Sequence, residues 1–268
     1  MEEWLKAVFL GIVEGVTEFL PISSTGHLLI AGQLVDFKES MGGTFEVFIQ
    51  FGAVLAVIGF YASDLLTQAR QLPYNPNTRH FWAAIAIAFL PAAIAGLLLR
   101  DFIKSELFTS PVVIALSFIL GGIVMIIVER VPRPKTTERE TKITWRQAGL
   151  VGLAQCVALI PGVSRSGATI IGGLLVGLDR PAATAFSFYL AIPTLGAATL
   201  YDLGRSVRTL TPSDFGFLLV GTVTAAIVAW LSIGWLLRYV AHNTFIPFGI
   251  YRILVGALIL GLVAVGII

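Results

Sequence analysis

Four stretches of this chain, residues 81–99, 111–128, 181–201 and 215–237, carry no charged side chain. A bilayer's hydrocarbon core is about 30 Å thick, and a helix rising about 1.5 Å per residue crosses it in roughly 20 residues. Two more stretches qualify if one ionisable group is tolerated in each: 44–63, with Glu46 near one end, and 245–268, with Arg252. The expectation is an all-α polytopic integral membrane protein with six transmembrane helices. Composition points the same way, since 56% of residues are hydrophobic and 13% charged, against roughly a quarter charged in a soluble domain. Disordered, collagenous and secreted disulfide-rich classes are excluded. The single Cys156 permits neither an internal disulfide nor a cysteine-rich zinc cluster. Net charge is only +2, and the basic residues sit in loops between apolar runs, which suits membrane topology and gives no sign of nucleic-acid binding. The opening Met-Glu-Glu-Trp lacks a basic n-region, and Glu14 and Glu18 interrupt what would be an apolar h-region, so no cleavable signal peptide is expected.

Two apolar segments fail as spans. In residues 4–35, Glu14 and Glu18 precede Pro21 and a Ser23-Ser24-Thr25-Gly26-His27 run; in residues 147–177, Pro161-Gly162 precedes Ser164-Arg165-Ser166-Gly167. Irregular backbone at membrane depth is tolerated only where protein or a watery cavity surrounds it. Each segment therefore reads as a re-entrant helical hairpin, with the two tips meeting inside the bundle. The tips resemble one another, and Phe45-Glu-Val-Phe48 and Phe186-Ser-Phe-Tyr189 follow them at similar distances; Phe89-Leu-Pro91 likewise echoes Phe245-Ile-Pro247. Within a single membrane domain, 1–268, these matches suggest two repeats, 1–128 and 147–268, joined by a basic loop, 129–146. Three spans per half make the second repeat inverted relative to the first.

Orientation follows from counting charges. The loops near 64–80, 129–146, 179–180 and 238–244 share one side and carry Arg70, Arg79, Arg130, Arg133, Lys135, Arg139, Lys142, Arg146, Arg180 and Arg238. The other side has Lys6, Lys38, Arg100, Lys104, Arg205 and Arg208. The more basic side is expected to be cytoplasmic, which puts both termini outside.

Glu14 and Glu18, spaced i, i+4, share a helical face where two bare charges would repel. A shared proton or a divalent cation would neutralise them; alternatively they are acids reaching water from a short helix. Mg²⁺ characteristically uses one or two carboxylates, completed by water and substrate phosphate. Ser23, Ser24 and Thr25 are placed to cap the returning helix, but three successive hydroxyls followed by His27 look like a nucleophile with its acid/base partner; a hydrogen-bonded core histidine is the plainer reading of His27. Arg165 brings a permanent charge to the second tip and matches phosphate oxygens bidentately, unless it pairs with Glu14 or Glu18. With Ser23, Thr25, Ser164, Ser166 and Thr169 it is expected to cradle phosphate. Glu46 and Gln50, i, i+4 on the third helix, reach either the same cavity or the outer interface, and Ser187 stands where Glu46 does in the other half. Arg252 is expected to snorkel to the cytoplasmic face.

Glu14-Gly-Val-Thr-Glu18-Phe-Leu-Pro-Ile-Ser-Ser-Thr-Gly-His27 and Pro161-Gly-Val-Ser-Arg-Ser-Gly-Ala-Thr169 resemble the two signatures of the bacterial undecaprenyl-diphosphatase, or bacitracin-resistance, family. Phe45-Glu46, Phe245-Ile-Pro247 and Tyr251-Arg252 also resemble family positions, so the likeness spans nearly the whole chain. It implies hydrolysis of undecaprenyl diphosphate to undecaprenyl phosphate and inorganic phosphate, which recycles the lipid carrier of cell-wall synthesis and confers bacitracin resistance. It further implies a divalent cation, Mg²⁺ or Ca²⁺, a polyprenyl diphosphate substrate amid membrane lipids, and a multi-pass protein of the bacterial inner membrane whose active site faces the periplasm. Glu14, Glu18, Ser24, His27 and Arg165 match the family's active-site residues, with Glu14 and Glu18 as the cation's ligands; whether serine or histidine attacks phosphorus stays open, as does a homodimer. An inverted-repeat transporter or lipid flippase without hydrolytic activity is the alternative. The type 2 phosphatidic acid phosphatase class would need a histidine soon after its Ser-Arg element, where this chain has Ile170 and Ile171 and no histidine before His242.

Overall fold

The computed structural model describes residues 2–35, 37, 44–107, 110–131, 143–206 and 215–267. Of the expected basic loop, residues 132–142 lie outside the described residues, as do Lys38 and Arg208 of the charge count. Among the described residues there are helices and no strands. In order they are α1 Glu2–Thr17, α2 Ser24–Leu34, α3 Thr44–Phe60, α4 Ala62–Gln71, α5 Pro76–Phe102, α6 Pro111–Arg130, α7 Trp145–Val157, α8 Arg165–Leu175, α9 Arg180–Ser206, α10 Phe215–Val240 and α11 Ile246–Ala264, with a π-helical turn at Ile103–Leu107 after α5.

Among the described residues five helices are long and apolar enough to cross a membrane: α5, α6, α9 over Arg180–Gly204, α10 and α11. Their starts are written in the local sequence. Asn75 accepts a hydrogen bond from the Asn77 N–H at 2.9 Å ahead of Pro76, and Ser110 accepts one from Val113 N–H at 3.4 Å ahead of Pro111; proline at the first helical position has no N–H to leave unpaired. The sixth span, expected over 44–63, is shorter: α3 ends at Phe60 and α4 leaves it at 64°. Residues 64–80 are thus not the plain loop the sequence suggested. Ser63, Asp64, Gln68 and Arg70 make α4 too polar to continue a span, and it buries none of its residues.

The four helices around the two apolar breaks are short. α1 and α7 each end four residues before a proline, at Thr17 before Pro21 and at Val157 before Pro161, because a proline ring clashes with the carbonyl four residues back. Each break then reaches a serine with positive φ, Ser23 at 73° and Ser164 at 78°, immediately before α2 and α8. Across the bundle, α1 packs on α10 and α7 on α5, while α3 packs on both α9 and α10 and α6 on α11. Small residues permit the close approach. A Cβ on Gly15 would lie 2.8 Å from the Ala225 carbonyl, and one on Gly152 would lie 2.6 Å from the Ala88 carbonyl, the backbone contact that membrane helices favour. The expected echo of Phe89-Leu-Pro91 in Phe245-Ile-Pro247 fails, since Pro91 lies inside α5 whereas Pro247 opens α11.

The distribution of polarity is the reverse of a soluble protein's. Leu97, Leu98, Leu120, Ile127, Trp230, Leu231 and Leu258 are exposed, while Glu14, Glu18, Ser166, Ser187 and Arg252 are buried. Apolar outside and polar within, on helices long enough to span, makes this chain a multi-pass membrane protein.

Candidate active site

The two breaks meet. Ser166 on α8 donates its hydroxyl to the Leu20 carbonyl at 2.8 Å, and Arg165 reaches Glu18 with Nη2 3.2 Å from Oε1. Glu18 sits just past α1, its N–H still bonded to the Glu14 carbonyl at 2.9 Å, so both carboxylates remain on one face. Its other oxygen, Oε2, accepts the Ser24 hydroxyl at 2.5 Å. Arg165 is held from behind by α9: Nη1 donates to the Ser187 carbonyl at 3.0 Å and to the Ser187 hydroxyl at 3.3 Å, while Phe19 lies under the guanidinium, 5.7 Å to the ring centre. Glu14, only 1% exposed, is within hydrogen-bonding reach of Ser24 and in electrostatic contact with Glu18, Glu46 and Arg165.

Buried atoms left without a hydrogen-bond partner include Glu14 Oε1 and Arg165 Nε. Folded proteins seldom leave such groups unpaired. Arg165, though not Glu14, lines a cavity of about 550 Å³ bounded at this end by Glu18, Ser23, Ser24, Thr25, Gln50 and Ser164. Beyond them its wall is mostly apolar, with Phe89, Leu97, Leu159 and Leu195, and it runs to Arg100, Tyr201 and Asp202 at the C-terminal ends of α5 and α9. Arg100 there bonds Asp202 at 3.0 Å and lies over the Tyr201 ring. α2 begins at this cavity without a side-chain cap, so its first turn offers helix N–H groups to an anion. Among the described residues no three His, Cys, Asp or Glu side chains form a ready-made metal site; a buried carboxylate pair completed by water and substrate oxygens nonetheless suits Mg²⁺.

Several residues expected to act here are engaged otherwise. Ser166, fully buried, bonds Leu20, and its hydroxyl lies 3.0 Å from that of Ser164. Thr169 bonds the Arg165 carbonyl at 2.9 Å and Ser187 at 2.7 Å. Neither lines the cavity; the contacts of both are within the second tip and to its neighbours. Ser164 caps α8 by accepting from Gly167 N–H at 3.0 Å. The expected pairing of Ser24 with His27 is not what the structure brings together. His27 is one helical turn on, with Nδ1 2.7 Å from the Ser23 carbonyl and Nε2 2.7 Å from the Tyr251 hydroxyl. A carbonyl only accepts, so Nδ1 carries a proton. The ring also lies parallel to Tyr251, at 4° between planes. Glu46 approaches Glu14 electrostatically, and Gln50 reaches the cavity wall.

Arg252 does not snorkel. It is 1% exposed, too deep among backbone carbonyls to reach water, and its role was missed because a lone basic residue in an apolar span has snorkelling as its usual explanation. The signal was its isolation as the one charge in 245–268, beside Tyr251. Gln155, at 1% exposure, is a further polar lining residue that periodicity did not single out.

Comparison with known proteins agrees with this geometry. The family model described as bacitracin resistance protein BacA matches residues 7–258. The chain is 45% identical to the undecaprenyl-diphosphatase of Phenylobacterium zucineum over 99% of its own length and 100% of that protein's. It is 48% identical to that of Acinetobacter baumannii, covering 96% of this chain and 95% of the relative, and 46% identical to that of Cupriavidus necator, covering 96% and 94%. Matches of this length and identity place the chain in the BacA bacitracin resistance protein family.

Proposed function

We propose that this chain hydrolyses undecaprenyl diphosphate to undecaprenyl phosphate and inorganic phosphate, the activity named for its relatives. One observation carries the reading: Glu18 holds the Ser24 hydroxyl from one tip and the Arg165 guanidinium from the other, all three at a single cavity. Ser24 Oγ attacks the terminal phosphorus while its proton passes to Glu18 Oε2; the bridging P–O bond breaks and undecaprenyl phosphate leaves. Water then attacks the phosphoserine phosphorus and the P–Oγ bond breaks; Ser24 Oγ takes its proton back from Glu18, and inorganic phosphate leaves with the oxygen and protons of the water. Arg165, already charged and held by Ser187, faces the charge growing on the transferring phosphoryl group. Ser24 is the better nucleophile than His27 because its hydroxyl is paired with a base at the cavity, whereas both ring nitrogens of His27 are engaged. The apolar wall suits the first isoprene units, and the remaining chain lies among membrane lipids.

Glu14 and Glu18 would hold a divalent cation, Mg²⁺ or Ca²⁺, since their oxygens are hard donors and Glu14 Oε1 is buried without a partner. Such an ion, when bound, neutralises charge on the diphosphate oxygens.

The two breaks are read as re-entrant hairpins of an inverted repeat in a single membrane domain, with α3 as the sixth span. Crossed packing of α1 on α10 and α7 on α5 supports this. The chain is assigned to the bacterial inner membrane, with the ends of α5 and α9 that carry Arg100 and Asp202, and hence the cavity, on the periplasmic side. A membrane-impermeant thiol reagent applied to intact cells should label Asp101→Cys and spare Tyr74→Cys; the opposite pattern overturns the orientation.

The activity is tested by phosphate release from undecaprenyl diphosphate by purified protein, with and without chelator. One phosphate per lipid is expected, lost with chelator and restored by Mg²⁺ or Ca²⁺. No release overturns the activity, and release indifferent to chelator overturns the cation.

A further inference from the structure

The guanidinium of Arg252 has five N–H groups, and the structure gives each a backbone carbonyl. Nη1 reaches Pro21 O at 3.1 Å and Val163 O at 2.8 Å. Nη2 reaches Gly162 O at 2.9 Å and Ser117 O at 3.0 Å, and Nε points to Phe118 O at 3.4 Å. Pro21 belongs to the first break, Gly162 and Val163 to the second, and Ser117 and Phe118 to α6. The ring of Phe118 covers the guanidinium from one side, 5.4 Å from its centroid. A single side chain on α11 thus ties both tips to each other and to α6. Among the described residues no acid neutralises it. Backbone carbonyls at a helix break are acceptors that the lost helix leaves over, and a planar fork with five donors is the one side chain that can satisfy so many in a fixed relative geometry.

We infer that Arg252 is a positioning residue, which fixes the first tip against the second and so sets the distance between Ser24 and Glu18 on one and Arg165 on the other. It touches no reacting atom in the mechanism proposed above, on which this inference rests. Its effect passes through Pro21, which precedes Ser23 and Ser24 by two and three residues, and through Val163, which precedes Arg165 by two. Among the described residues the other ties between the tips include Ser166 to Leu20, Arg165 to Glu18 and Phe19 under the Arg165 guanidinium. Releasing Arg252 leaves the break carbonyls of Pro21, Gly162 and Val163 unpaired, with the two tips free to part, while those of Ser117 and Phe118 keep their bonds within α6. Displacement of reacting groups by about 1 Å is enough to cost roughly a hundredfold in rate. Gly121 on α6 gives an independent handle, since a Cβ there would collide with Nη2 of Arg252, so Gly121→Ala pushes the fork aside while keeping every polar group.

The test compares Arg252→Ala, Arg252→Lys and Gly121→Ala with Glu129→Gln. Glu129 is a remote control: it bonds Arg180 at 2.6 Å and Phe245 N–H at 2.9 Å at the other end of α6, so its loss weakens the bundle without touching the tips. Two readouts are taken. The first is steady-state phosphate release, where Arg252→Ala should lower kcat by roughly a hundredfold with KM changed by less than about threefold, the mark of lost transition-state geometry. Lysine should recover part of kcat, because an ammonium's three donors reach at most three of the carbonyls, and Gly121→Ala should fall between. The second is a spin-label distance between cysteines at the exposed Val16 and Ile160, beside the two tips, in a Cys156→Ala background. It should broaden or lengthen in Arg252→Ala and Gly121→Ala and stay unchanged in Glu129→Gln. This distance is read without substrate, so it judges the clamp even if the proposed hydrolysis fails. An unchanged distance in both Arg252→Ala and Gly121→Ala overturns the inference. So does a loss of kcat that simply tracks thermal stability across all four variants. Should Arg252→Ala not fold, Arg252→Lys and Gly121→Ala carry the same comparison.

Discussion

The first tip, residues 18–23, and the second, 158–164, place a positive-φ serine at the same point, directly before a returning helix, yet they use it differently. At the second tip Ser164 caps α8, Ser166 latches onto Leu20, and Thr169 and Ser187 close around Arg165, so nearly every hydroxyl is engaged with the protein. At the first, Ser23 makes no cap, Ser24 turns to Glu18, and Thr25 faces the cavity. One tip is a rigid mount for a cation. The other leaves its hydroxyls and helix N–H groups available to a ligand. The same backbone turn thus serves two uses, a holding half at the second tip and, under the proposed reaction, a reacting half at the first, and the division is open to direct attack.

The largest effect belongs to the reacting half. Glu18→Gln keeps the shape but removes the base for Ser24 and the partner of Arg165, and should lower kcat by about a thousandfold. Ser24→Ala should match it, and the double variant should be little worse than either, because groups that act as one unit are strongly non-additive. Ser24→Ala with His27→Ala should instead multiply, since the structure does not pair them. Additive logarithmic losses for Glu18 and Ser24 would dissolve the unit.

Next comes the cation of the holding half. Arg165→Ala should cost roughly a hundredfold in kcat/KM, the usual scale for a lost charge-assisted contact to a developing anion. Arg165→Lys should retain part, keeping charge without the fork. Near-parental rates in Arg165→Ala would show that the second tip only buttresses the first.

This division was partly legible in the sequence. Charge-free runs gave the spans, because the period of a helix and the thickness of a bilayer leave little freedom, and Pro21 and Pro161 marked both breaks through a clash that acts locally. Glu14, Glu18, Ser24 and Arg165 stood out as polar groups where an apolar run should continue. What stayed hidden depended on direction. Whether Ser166 or Ser164 turns inward, whether His27 meets Ser24 or Tyr251, and where Arg252 points are decided by tertiary packing across more than a hundred residues of sequence. Composition also misled at α4, where polar residues look the same in a loop and in a helix leaving the apolar layer.

Glycine at the two positive-φ serines sharpens the contrast in stability. Gly adopts this backbone without strain. At Ser23 no side-chain cap is lost, so Ser23→Gly should leave thermal stability unchanged or slightly raised. At Ser164 the cap on Gly167 disappears, so Ser164→Gly should give up the benefit and lose stability by a few tenths of a kcal/mol. Equal shifts in thermal unfolding for the two variants would mean the tips are mounted alike.

The smallest effect tests how His27 takes part. Its Nδ1–H is fixed on the Ser23 carbonyl, so the neutral ring receives the Tyr251 hydroxyl at Nε2. Tyr251→Phe removes that hydroxyl but keeps the ring that lies parallel to the imidazole. If His27 only braces the first tip, the loss is one neutral hydrogen bond that water or local adjustment partly replaces, and kcat should fall no more than about threefold. If His27 attacked phosphorus or moved a proton through Nε2, freeing that nitrogen would alter its basicity and its aim together, and the rate would change by far more in one direction or the other. A large change in kcat for Tyr251→Phe, with stability and KM held, would therefore move the nucleophile from Ser24 to His27 and shift the reacting centre one helical turn along α2, toward α11.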